Sequence, residues 1–121
     1  MKTAGVVAGF FTDVSRMAAD ELAMLMSLPN WPARVAAART IPREMRATTA
    51  YHFHAAKFAA FAVPTLLFLG GASPAFFRAA IDLVHAGLPS SRVVVLPGQQ
   101  HQAINTATEL FVREVLAFAA D

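Results

Sequence analysis

The chain has 121 residues, 56% of them hydrophobic and 15% charged, with a formal net charge of +2 and a mean hydropathy of +0.48. That length suits one domain with a core of its own, yet soluble domains typically run about 45–50% apolar and about 25% charged. The apolar surplus therefore points either to a membrane segment or to part of a larger core, and the absence of cysteine excludes disulfides, thiolate metal sites and cysteine nucleophiles.

The membrane explanation fails on segment length. The strongest apolar run, residues 58–71, is cut by Pro64 and preceded by Lys57, whereas a spanning helix needs about 20 uninterrupted residues. The N-terminal stretch has one lysine and an apolar run over residues 4–11, with no small-residue cleavage site after it, so no signal peptide is expected. A cytoplasmic location with no membrane partner follows as the expectation. Arg34, Arg39, Arg43 and Arg46 gather in one segment, but they alternate with alanine and Glu44 rather than with stacking aromatics. That pattern reads as a solvated helical face, and no nucleic-acid partner is expected.

In chain order, residues 4–11 suit either a strand or a helix. Asp20 is a candidate N-cap for "ELAMLMSL", which ends at Pro29. Asn30-Trp31-Pro32 opens the helix "ARVAAAR", and Pro42 opens "REMRATTAY", each proline at a first-turn position. In Tyr51-His52-Phe53-His54 the two histidines would share a face on a strand and diverge on a helix. With no carboxylate nearby, a metal site there would need a distant third ligand such as His85 or His101, so no metal is expected. His54 stands where an N-cap is expected ahead of "AAKFAAF".

The pattern then changes. "PTLLFLGG" is a short continuous apolar run closed by glycines, as in a strand buried on both faces. Ser73-Pro74 offers a cap and first-turn proline for "AFFRAAIDLVHAG", with Gly87 as the stop after the helix. "SRVVVLPG" is a second buried strand, and a loop carrying His101 follows. Thr106-Ala107-Thr108-Glu109 matches a capping box ahead of "LFVREVLAFAA". The order β-α-β-α argues for a short parallel sheet joined by right-handed crossovers. Two parallel strands leave two open edges, so this part reads as the end of a larger sheet.

"VPTLLFLGG" followed by "SP", a crossover helix, "RVVVLPGQQHQAI" and "ELFVREVLAF" resembles the C-terminal end of α/β-hydrolase-fold enzymes. The preceding helices, with "YHFHAAKFAAF", are similar to the helical cap of that family. The resemblance implies a partial α/β-hydrolase fold: a helical cap-like segment over residues 1–62, then the last two strand–helix units of the core over residues 63–121. It implies that His101 is the triad-type base and that Trp31 lines an apolar pocket under the cap. It also implies ancestral hydrolysis of an ester or related small substrate, with no cofactor. The family's acid commonly stands near the position of Ala72, which cannot orient an imidazole, and Asp82 falls inside a helix. None of Ser15, Ser27, Ser73, Ser90 and Ser91 sits in a G-x-S-x-G turn, the elbow from which such a serine attacks. The expectation is an incomplete, inactive C-terminal portion that awaits a complementary N-terminal half. The alternative is a self-associating module derived from a hydrolase, in keeping with a homodimer.

Overall fold

The computed structural model describes residues 2–120, and of Lys2 the backbone alone. The chain divides into two compact units, Met1–His52 and Phe53–Asp121.

The first unit is helical. Helix α1 (Lys2–Gly9) continues into a π-helical turn, Phe10–Val14, and is followed by α2 (Ala19–Ser27), α3 (Trp31–Ala36), a 3₁₀ turn (Ala37–Thr40) and α4 (Ile41–Ala50). Residues 4–11, open between strand and helix in the sequence, are therefore helical. The spacing explains the outcome: Val7 and Phe11, four positions apart, are both buried and meet Met17, Leu25 and Ala38 in one cluster. The chain leaves this helix through Arg16, a non-glycine residue at φ 54°. Helix α2 starts one residue before the expected Asp20, with Ala18 at the cap position. Asp20 lies inside the first turn, where its carboxylate accepts the Glu21 backbone N–H at 2.9 Å and favours the helix N-terminus electrostatically. Pro32 and Pro42 fall in the first turns of α3 and α4, as their fixed φ and missing N–H require.

The second unit is α/β. A 3₁₀ turn (Ala55–Phe58) precedes β1 (Thr65–Gly70), α5 (Ala75–Gly87), β2 (Ser91–Leu96), the single turn α6 (Ala103–Thr106) and α7 (Thr108–Ala120). Strands β1 and β2 pair in parallel, from Thr65 opposite Ser91 to Gly70 opposite Leu96. The sheet has only these two strands among the described residues. Its faces are not both fully covered: Leu69 and Leu96 are buried, whereas Val95 is 41% exposed.

Three local expectations are corrected. Pro74, not Ser73, holds the cap position of α5. Gly87 is the last helical residue rather than the residue beyond it; a Cβ there would come within 2.7 Å of the Phe53 ring, so a close side-chain approach, not a left-handed turn, calls for glycine. The capping box does not form, because Thr106 ends α6. Its hydroxyl lies 3.4 Å from the Gln102 carbonyl oxygen and from Gln99 Oε1, and Ala107 precedes α7 instead.

Candidate active site

The site is built where β1 and β2 end. Both strands release the chain on the same side, because they are parallel and in register. After β2 the chain turns at Pro97-Gly98, with Gly98 at φ 68°, and runs back against the end of β1. Gly71 N–H donates to the Leu96 carbonyl and Ala72 N–H to the Gln99 carbonyl, each at 2.8 Å. Gly70 lets this loop approach. A Cβ on it would collide with the Gln100 carbonyl and lie 2.6 Å from the Gln99 carbonyl oxygen. The backbone thus fixes the segment that presents His101.

The His101 ring stacks on Phe77 of α5, with centroids 3.9 Å apart and planes 18° from parallel. One ring face is covered while much of the residue stays open to solvent. Burial lowers the imidazole pKa below its ordinary value, since the charged form loses hydration. No carboxylate contributes to the shift, so the neutral ring predominates at neutral pH, the form a proton acceptor needs.

His101 also opens onto a cavity of about 400 Å³ walled by Leu67 and Phe68 of β1, Phe77 and Ile81 of α5, and Phe111 of α7. Its polar edge includes Ser73 and Gln100. The Ser73 Oγ is buried with no hydrogen-bond partner.

Ala72, at the position the resemblance assigns to the acid, offers only backbone to this site. Asp82 is exposed on α5. Trp31 packs in the helical unit, its ring 6.4 Å from that of Phe11, and the cavity beside His101 is lined entirely by residues 67–111. His52 and His54 are both exposed. The His54 carbonyl accepts Lys57 N–H at 3.0 Å, but its imidazole makes no cap bond. Among the described residues no three His, Asp or Glu side chains group to hold a metal, and no helix is long and apolar enough to cross a membrane. His85 is engaged elsewhere, with its Nδ1 2.7 Å from Ser91 Oγ. Sequence reasoning missed Phe77 as the partner of His101. The signal was present in the aromatic pair Phe76-Phe77 at the start of α5, but pairing it with His101 required the crossover geometry.

No protein-family model matches the chain, and a search of curated proteins gives no match. A solved structure described as an alpha/beta hydrolase from Sphaerobacter thermophilus DSM 20745 is similar, at 30% identity with a TM-score of 0.64. The match takes in 92% of this chain and 45% of the hydrolase. With its short parallel sheet, crossover helix and preceding helices, the chain has a partial α/β-hydrolase-like fold.

Proposed function

We propose that this chain is the histidine-bearing portion of a serine hydrolase of the α/β type, directed at esters or a related small carbonyl substrate and inactive by itself. The observation that carries the reading is His101: an imidazole stacked on Phe77 and held at the strand ends beside an apolar cavity, its pKa lowered by burial. Such a ring can take the proton of an attacking serine hydroxyl and return it to the leaving group. The serine must come from elsewhere, because the sequence contains no G-x-S-x-G turn. The carboxylate that would steady the imidazolium is likewise absent from the positions of Ala72 and Ser73, and a second polypeptide segment would supply both groups. No cofactor enters this chemistry. The test is hydrolysis of p-nitrophenyl esters by the purified chain. The expected rate equals background and is unchanged by His101→Ala; a clear rate abolished by that substitution would overturn the proposed inactivity.

A second reading, a self-associating module, is favoured by one stripe. Val112, Val115 and Leu116 of α7 lie at helical spacing and are 44%, 37% and 64% exposed, an arrangement suited to burial against another molecule. Light scattering after size exclusion decides it: a dimer supports the stripe as a contact, and a monomer at high concentration removes it.

A further inference from the structure

The charge of the chain is unevenly shared. The helical unit carries six basic and four acidic residues and the α/β unit four of each, so the formal net charge of +2 belongs wholly to the helical unit. Three of its cations form one stripe. Arg39 stands in the 3₁₀ turn Ala37–Thr40, and Arg43 and Arg46 follow in α4 at separations of four and three residues. Helical rotation brings the three within about 60° of one another around the axis, with neighbours about 4.5–7 Å apart along it. All three residues are exposed, and none is held in an ion pair among the described residues. Glu44, the one acid between residues 34 and 50, is turned about 100° from Arg43. Like charges at helical spacing repel, and an external anion relieves the strain. Arg34 stands apart from the stripe: it is half-buried, with its guanidinium 5.9 Å from the centre of the Phe11 ring.

Beside the stripe lies an apolar groove. Thr3 and Val6 of α1, with Ala38 and Arg39 of the 3₁₀ turn, wall a hollow of about 290 Å³. Residues 3–9 of α1 include no charged side chain. Val7 is buried in the core of the unit, whereas Val6 is 53% exposed on the groove wall. Arg39 belongs to both features, so groove and stripe are continuous. A single exposed valine requires no partner. A valine walling a groove that runs into three like charges defines a surface with an amphipathic complement.

We infer that this face of the helical unit binds an acidic amphipathic helix of another protein, with an aliphatic side chain in the groove and a row of carboxylates along Arg39, Arg43 and Arg46. Glutamates four and three positions apart on an α-helix recur at the spacing of the arginines. Each guanidinium can hold a carboxylate through two parallel hydrogen bonds. The groove separates this partner from other polyanions. Its aliphatic walls give a nucleic-acid base no aromatic plane on which to stack. Binding to a bilayer calls for apolar side chains that protrude, whereas a hollow receives a side chain from its partner. The inference is independent of the hydrolase reading and adds a binding surface to it.

The test titrates the full chain into a fluorescein-labelled helical peptide and follows anisotropy. The peptide has one leucine ridge flanked by glutamates four and three residues apart. Binding should saturate with a Kd below about 100 μM, and raising the salt from about 20 to about 300 mM should weaken it about tenfold or more. A peptide of the same composition, with its glutamates scattered around the helix, should bind about tenfold more weakly. Arg43→Glu should lower affinity about tenfold or more. Val6→Asn, which makes the groove polar at constant charge, should lower it about fivefold. Absence of binding, or equal binding by the scattered peptide or by the Val6→Asn chain, overturns the docking face. Tighter binding to phosphatidylserine vesicles or to a short single-stranded DNA would make the partner a membrane or a nucleic acid and overturn the assigned one. Should a variant fail to fold, NMR of the unaltered chain decides. The Val6 methyl and Arg43 Nε–H signals should both shift on addition of the peptide, and constancy of either rules out the face. The same shifts on concentrating the chain alone would identify a second copy as the occupant and overturn the foreign helix.

Discussion

Replacing Gly70 with alanine tests whether the loop that carries His101 is docked against β1 as described. The added methyl would lie 2.6 Å from the Gln99 carbonyl oxygen and collide with the Gln100 carbonyl. Those atoms are backbone, so no side-chain rotation relieves the clash. Reaching ordinary contact near 3.4 Å requires a shift of about 0.8 Å, enough to stretch the 2.8 Å hydrogen bond from Ala72 N–H to the Gln99 carbonyl beyond useful range. Overpacking of this kind costs about 1–3 kcal/mol, and the lost bond adds about 1 kcal/mol, so Gly70→Ala should destabilise the α/β unit by about 2–4 kcal/mol. At roughly 4 °C per kcal/mol for a chain of this size, its melting temperature should fall by about 8–16 °C. Gly71→Ala is the control. Its methyl would meet the Leu96 carbonyl oxygen and Val95 Cγ1 at 3.3 Å, contacts that small adjustments relieve, and it should cost below about 1 kcal/mol. Urea unfolding followed by circular dichroism, with the His101 ring signals as a local reporter, measures both. A Gly70→Ala protein within about 0.5 kcal/mol of the parent would refute the docked loop.

Other outcomes follow from the same geometry. Leu25 is fully buried at the centre of the helical unit, so Leu25→Ala should cost about 3–5 kcal/mol in denaturant unfolding. Ser73→Ala removes a buried hydroxyl with no partner and should be neutral or stabilising by about 1 kcal/mol; a clear loss of stability would mean that the hydroxyl is bonded. His101, with its folded pKa lowered, should protonate below the ordinary histidine value in an NMR titration, and Phe77→Ala should move its pKa up toward about 6.5. The unfolded state binds this proton more readily than the folded state. The His101 contribution to stability is therefore complete above about pH 6.5 and declines as pH falls toward the lowered folded value. A Phe77→Ala variant in which His101 titrates as in the parent would rule out the stack as the cause.

The strands and the long crossover helix were legible because their signals are local. "TLLFLG" and "SRVVVL" are short apolar runs bounded by turn residues, and α5 carries a clear helical stripe. Residues 4–11 resisted because a fully apolar stretch satisfies both periods; only the partners of Val7 and Phe11, more distant in sequence, decide for helix. The capping box at Thr106 was misleading for a related reason. A hydroxyl three residues before a glutamate has the right spacing, but the α6 turn placed it near Gln99 and Gln102 first. His101 stood out as a loop histidine after a buried strand. Its stack on Phe77 did not, since a crossover of more than twenty residues separates the two.

The most direct test of the central claim is mass spectrometry after treatment with a serine-reactive fluorophosphonate. The chain is treated alone, and together with the unspanned part of the Sphaerobacter thermophilus hydrolase. The account predicts no adduct on this chain in either case, and an adduct on the complementary segment that forms with the parent chain and not with His101→Ala. A His101-dependent adduct on one of this chain's own serines, Ser73 foremost because it lines the same cavity as His101, would contradict it.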